Sequence, residues 1–191
     1  MCGIIGYVGE KSAGPILLEG LRRLEYRGYD SAGVAVLDDG RLEVQRKTGR
    51  INQGLAPLVQ ARPLHGSVGI GHTRWATHGP PTDENSHPHL DASGKIAVVH
   101  NGVIENYDRI KQRLRATGHQ FHSDTDTEVL AHLIGEHYKQ AGGAQTSRTS
   151  SLLADAVAAA LGEVIGAYGI GVVCTDFPGL RIRIPQRFLS W

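Results

Sequence analysis

Residues 1–8 read Met1-Cys2-Gly3-Ile4-Ile5-Gly6-Tyr7-Val8. Residues 2–8 are apolar and rich in Ile, the pattern of a short buried strand. That strand starts at a cysteine, and the residue before it is the only methionine of the chain. Removal of an initiator Met ahead of a small residue leaves Cys2 with both a thiol and a free α-amine. Their ordinary pKa values, ~8.5 and ~7.7–8.0, lie close enough for the amine to take the thiol proton. One residue then acts as nucleophile and base together, and a strand beneath it holds it rigidly. The competing reading is a small buried cysteine with no chemical role. Position alone does not separate the two.

Outward from this stretch, β-type runs alternate with amphipathic helices. Ser12 reads as a helix cap, with Pro15 in the first turn and Leu17, Leu18, Leu21 and Leu24 on the inner face. Residues 32–37 and 42–45 flank Asp38-Asp39-Gly40, a hairpin signal. Residues 68–72 and 96–100 read as two further strands, and Tyr107, Ile110 and Leu114 as a helix ending near Gly118. Thr125-Asp126-Thr127-Glu128 matches a capping box opening another helix. Residues 142–151 are small and polar, a surface loop; residues 152–165 are amphipathic, and 168–174 read as a strand. Strands and helices in mixed order with hairpin-like pairs indicate an α+β layered domain.

Composition narrows the classes. The 191 residues carry 20 Lys+Arg against 19 Asp+Glu, a net charge of +1, with 40% hydrophobic residues. That balance argues against a nucleic-acid arm or a disordered tail. Two cysteines cannot form a disulfide scaffold, which points to a reducing, cytoplasmic setting. No apolar run approaches the ~18 residues of a membrane span. Residues 177–191 differ in texture: three Arg, no acid, two Pro and no legible period. Residues 1–176 alone hold 17 basic and 19 acidic residues, a balance of −2.

Three polar loops follow predicted elements. Residues 26–33 read YRGYDSAG, where Asp30 caps nearby amides or Arg27 supplies charge beside the nucleophile. Residues 72–79 read HTRWATHG. Arg74 there offers a donor fork suited to a carboxylate, Trp75 a flat cover, and Thr77 and His78 further hydrogen-bonding groups. His100-Asn101-Gly102 is read locally as a hairpin turn. Alternatively the Asn101 amide and the Gly102 N–H act as two donors of an oxyanion hole. Asp124 and Asp126 open a helix, where acids favour the dipole; one of them is free to face an ammonium. Ten His, five of them within residues 72–100, raise a metal reading. Neither an HExxH helix nor a Cys-x-x-Cys pair supports it.

With these pieces in order, the chain resembles the glutamine-hydrolysing domain of class II amidotransferases. Within them it is most similar to the glutamine–fructose-6-phosphate aminotransferase (isomerising) branch. The carriers are Cys2-Gly3-Ile4, LRRLEYRGYDSAG at 21–33, HTRWATHG at 72–79, HNGVIEN at 100–106 and SDTDTEV at 123–129. The match runs over residues 1–176. It implies a four-layer αββα N-terminal-nucleophile hydrolase sandwich. It assigns Cys2 as nucleophile and Asn101 with Gly102 as the oxyanion hole. It places Arg74 against the glutamine α-carboxylate and Asp126, rather than Asp124, against its α-ammonium. Thr77 and His78 line the pocket, Trp75 belongs to a covering loop, and Arg27 and Gly28 are further parts of the site. It implies no metal and no organic cofactor.

The resemblance breaks at Asp176–Phe177. Residues 177–191 are therefore expected to be a divergent tail replacing the last strands of a truncated glutaminase domain. No sugar-isomerase domain is legible, so fructose 6-phosphate is expected to be used only through such domains and not by this chain alone. A longer family member is expected to be a homodimer. Two alternatives accompany this reading: an inactive remnant or binding module, and the amidotransferase domain of another class II enzyme such as amidophosphoribosyltransferase.

Overall fold

A computed structural model describes residues 2–76, 79–143 and 151–177, and the backbone of 181–187. In chain order the elements are β1 (Gly3–Val8), α1 (Ala13–Leu24), β2 (Ser31–Asp38), β3 (Arg41–Thr48), α2 (Leu55–Ala61), β4 (Val68–Arg74), β5 (His89–Leu90), β6 (Ile96–Ile104), α3 (Tyr107–Ala116), α4 (Asp126–Gln140), α5 (Ser151–Glu163), β7 (Gly166–Cys174) and β8 (Arg181–Arg187).

The hairpin signal forms as read. Asp39 and Gly40 take φ of +44° and +74° between β2 and β3, a two-residue loop whose twist matches antiparallel strands. Two antiparallel sheets result, ordered β1-β4-β2-β3 and β5-β6-β7-β8. The sheets face each other through Ala35, Leu37, Val68 and Ile70 of one and Ala97, Val99 and Val173 of the other. Helices cover both outer faces. Leu17 and Leu21 of α1 and Leu55 of α2 pack on Val34 and Val36. Leu130, Leu133 and Ile134 of α4 and Leu153 of α5 pack on Ile96, Val98 and Val172. Each such fully buried Leu or Ile contributes roughly 1.5–3 kcal/mol of transfer free energy. The architecture is α+β, an αββα sandwich of the N-terminal-nucleophile type. No helix among the described residues is long and apolar enough to cross a membrane.

Several local readings change. β1 is an edge strand, mostly half-buried rather than buried. Ser12 sits at the N-cap of α1, but its side chain makes no cap bond; its Oγ donates to the Leu64 carbonyl at 2.8 Å. The capping box is only half formed. Thr125 Oγ1 accepts from Glu128 N at 3.2 Å, while the Glu128 carboxylate bonds Ser123 N and His122 N instead of turning back to Thr125. The 177–191 segment, without legible period, contains β8, which pairs with β7. Residues 144–150 of the small polar loop lie outside the described residues, as do 178–180 and 188–191.

Candidate active site

β1 pairs antiparallel with β4, Gly3 opposite Thr73. Gly3 N–H donates to Thr73 Oγ1 at 3.0 Å. A Cβ on Gly3 would stand 2.8 Å from Leu24 Cβ and 2.9 Å from Thr73 Oγ1, so this approach needs glycine. Cys2, the residue before β1, is thereby carried to the end of β4. There the Trp75 N–H donates to Cys2 Sγ at 3.2 Å. Burial pushes the Cys2 thiol above its ordinary pKa, while the Trp75 N–H and the Arg74 charge pull it down. A thiol so placed is protonated at neutral pH and needs a base to become a nucleophile.

β6 delivers the second group from the opposite sheet. Asn101 and Gly102 lie inside β6, paired with Gly169 and Tyr168, so the hairpin-turn reading is overturned. Sheet pairing continues four residues past His100 because β7 runs alongside as far as Gly166. Asn101 Nδ2 donates to the Cys2 carbonyl at 2.9 Å, and Asn101 Oδ1 faces His72 Nε2 at 2.8 Å. Gly102 has φ +144°, and a Cβ there would run into the Ala167 carbonyl. Gly102→Ala is therefore expected to lower stability by about 1–3 kcal/mol or more. A urea midpoint equal to wild type would show that the strand pair yields freely.

The charged groups sit beside this pair. Arg74, 3% exposed, ends β4 and donates through Nη1 to Pro80 O and through Nη2 to Gly79 O, both at 3.2 Å. Asn85 Nδ2 also donates to Pro80 O, at 3.0 Å, and Asn85 Oδ1 accepts from Asp124 N at 2.9 Å. This chain of contacts ties the Arg74 head to the segment entering α4. Asp126, 5% exposed at the first turn of α4, accepts from Ile104 N at 3.0 Å. Burial lowers the Arg74 pKa, and the charges of Cys2, Asp30 and Asp126 oppose that shift. The buried Arg74 charge is thus near enough to act on the thiol, and the buried Asp126 near enough to act on Arg74.

The adjoining wall is formed by residues 26–30, while Ser31–Gly33 of the segment read as a loop already belong to β2. A Cβ on Gly28 would come within 2.7 Å of Arg74 C and 2.8 Å of Arg74 O. Gly28 thus lets the loop lie directly on the backbone that holds Cys2. Asp30 caps an amide as read, accepting from Ala76 N at 2.7 Å. Arg27 closes the short 3-10 turn leading into Gly28. Trp75 is 46% exposed and meets Tyr29 edge-on at 5.5 Å. Thr77 and His78 lie outside the described residues.

A family model described as a glutamine amidotransferase domain matches residues 58–154. The chain belongs to this family. Its relatives include the glutamine–fructose-6-phosphate aminotransferase (isomerizing) of Caldanaerobacter subterraneus subsp. tengcongensis, 51% identical over 182 residues, covering 95% of this chain and 28% of that protein. The protein of the same name from Thermus thermophilus is 52% identical over 176 residues, covering 92% of this chain and 27% of its own. This amidotransferase domain therefore spans little more than a quarter of the length of those relatives. Among solved structures it is similar to glutamine phosphoribosylpyrophosphate amidotransferase from B. subtilis, with TM-score 0.72 and 29% identity over 92% of this chain and 35% of that one.

The amidotransferase domain also contains polar contacts that the sequence reading passed over. Thr73 anchors Gly3, Asn85 links Asp124 to the Pro80 carbonyl that Arg74 also bonds, and His72 faces Asn101. All three are buried or nearly so, and buried polar groups must find partners. The run His72-Thr73-Arg74 in a strand between two apolar layers was the available signal. The His cluster packs as rings: His72 on His87 at 4.2 Å, and His87 edge-on to His89 at 5.0 Å. Among the described residues no group of three or more His, Cys, Asp or Glu is placed to hold a metal ion.

Proposed function

We propose that the chain hydrolyses L-glutamine to glutamate and ammonia, with Cys2 as nucleophile. The observation that carries this reading is the joint at Cys2, where the Trp75 N–H holds the thiol and the Asn101 amide holds the adjoining carbonyl. Removal of Met1 frees the Cys2 α-amine, which takes the thiol proton. The thiolate then attacks the glutamine side-chain carbon, and the former carbonyl oxygen becomes an oxyanion. The second N–H of Asn101 Nδ2 and the Gly102 N–H donate to it. Collapse breaks the C–N bond, the amine returns its proton, and ammonia leaves. Water then hydrolyses the γ-glutamyl thioester to glutamate and free thiol.

Arg74 and Asp126 receive the two ends of the amino acid, the guanidinium facing the α-carboxylate and the carboxylate facing the α-ammonium. Asp126→Asn keeps an acceptor for Ile104 N and removes only the charge. It is expected to raise the glutamine KM about 10-fold or more, as loss of a hydrogen bond to a charged group implies. Steady-state release of glutamate measures this, and an unchanged KM removes Asp126 from the site. The full reading is tested by assaying purified chain for glutamate, with mass spectrometry of its N-terminus.

Delivery of the ammonia to fructose 6-phosphate is inferred from the longer relatives, which are glutamine–fructose-6-phosphate aminotransferases. It is proposed here for a polypeptide that also carries an acceptor site. Two relatives at 51–52% identity favour this branch over the phosphoribosylpyrophosphate enzymes at 29%.

A further inference from the structure

We propose that His72 is the positioning residue that orients the Asn101 side chain so that its N–H₂ end, and not its oxygen, faces the reacting carbon. The proposal rests on the glutaminase reading only for its kinetic consequence; the geometry stands apart from it.

A side-chain amide has two ends of nearly the same shape and opposite hydrogen-bonding character. If Asn101 were rotated by half a turn, Oδ1 would point at the Cys2 carbonyl and at the developing oxyanion. It would repel both. Something must therefore choose the orientation, and two backbone carbonyls settle it, because a carbonyl can only accept. The first is His100 O, 3.0 Å from His72 Nε2. That contact requires a hydrogen on Nε2. The same Nε2–H then points toward Asn101 at 2.8 Å, so the atom facing it must be the acceptor, Oδ1. The second is Cys2 O, 2.9 Å from the other end of the amide, which must be Nδ2. Both constraints agree on one arrangement.

The imidazole is built to keep that tautomer. His72 has no exposed surface. It lies on β4, next to the Thr73 that anchors Gly3. The His87 ring packs against it, tilted by 40°, with the ring centres 4.2 Å apart. Among the described residues its Nδ1 has no hydrogen-bond partner. Nothing on that side draws the proton away from Nε2. Burial also takes the His72 pKa down to about 3, against the Asn101 bond, which raises it. The ring is thus neutral at working pH and presents a single N–H to both acceptors. The end of β4 and the residue that follows it consequently hold the site at three points: the His72 ring sets Asn101, the Thr73 hydroxyl sets Gly3, and the Trp75 N–H holds the thiol.

The test compares wild type, His72→Leu and His72→Gln. Glutamine places an amide N–H close to the position of the imidazole Nε2, whereas leucine has no donor. Loss of one oxyanion donor typically costs about 100-fold or more in kcat, and His72→Leu is expected to show such a loss with the glutamine KM within about twofold of wild type. His72→Gln is expected to recover most of that loss. Long-range ¹H–¹⁵N spectra of wild type are expected to show Nε2 protonated and Nδ1 bare. The Asn101 side-chain amide protons should exchange slowly in wild type and His72→Gln, and rapidly in His72→Leu. Thermal melts show which variants are folded. The proposal is overturned by a His72→Leu variant with wild-type kcat, by a folded His72→Gln variant no better than leucine, or by a bare Nε2. If His72→Leu fails to fold, the glutamine variant and the wild-type tautomer still decide. If wild type releases no glutamate, the glutaminase reading falls, and the tautomer with the Asn101 amide exchange decides the role of His72 alone.

Discussion

Cys2→Ala is expected to abolish glutamate release from glutamine, a fall of roughly 10⁴-fold or more, as when other hydrolases lose their nucleophile. The substitution is a clean probe. The contacts that hold this end of the chain are made by the backbone: Gly3 N to Thr73 Oγ1 and Asn101 Nδ2 to Cys2 O. Alanine keeps both and removes only Sγ, which the Trp75 N–H contacts at 3.2 Å. Fold and glutamine binding are therefore expected to persist while turnover disappears. A chain that retains Met1 is expected to be equally inactive, because its Cys2 nitrogen is an amide and cannot accept the proton of a thiol whose pKa burial has raised. A coupled assay for glutamate checks both forms. Residual turnover within about tenfold of wild type in Cys2→Ala would remove Cys2 as nucleophile.

Acidification is expected to destabilise the fold well before its carboxylates titrate in bulk. His72, His87 and His89 are buried between the sheets and α4, and burial is the main cause that drives their pKa values down. His72 falls to about 3, against ~6.5 in an unfolded chain. Between those two values the unfolded state binds more protons than the native one, so stability falls as pH falls. The stabilisation is complete above the unfolded value near 6.5 and is lost progressively toward 3. At pH 5 the loss from His72 alone is ~2 kcal/mol, and His87 and His89 act in the same direction. Against a typical domain stability of ~5–15 kcal/mol this is a large fraction. Urea midpoints at pH 7 and pH 5 measure it. Equal midpoints would show that the three rings are hydrated or charged in the native state.

The parts of the molecule legible in the sequence share one property: their determinants are local. The Asp39-Gly40 turn needs two positive φ values, and residues able to adopt them stand at those two positions. The inner faces of α1 and α4 follow the helical period, and Leu17, Leu21, Leu130, Leu133 and Ile134 are all buried. Errors arose where a distant partner outweighed a local rule. Asn-Gly at 101–102 looks like a turn, yet β7 pairs with it and extends the strand. Ser12 looks like a cap, yet the Leu64 carbonyl takes its hydroxyl. Glu128 looks like the second half of a capping box, yet Ser123 and His122 hold its carboxylate. Residues 181–187 have no readable period of their own and are a strand because β7 offers an edge.

The candidate site divides the same way. Residue types alone proposed a thiol, a guanidinium, a carboxylate and an amide, because each chemical task admits few side chains. The sequence of residues 1–8 also determined that the thiol stands at the head of a strand. What it could not determine is which way each group faces, since that depends on contacts between residues as far apart as Cys2 and Asn101. Only the packing of one sheet on the other brings His72 to Asn101 and Asn101 to Cys2. A donor becomes an oxyanion donor by its direction, and direction is set by carbonyls fixed in strands that never meet along the chain.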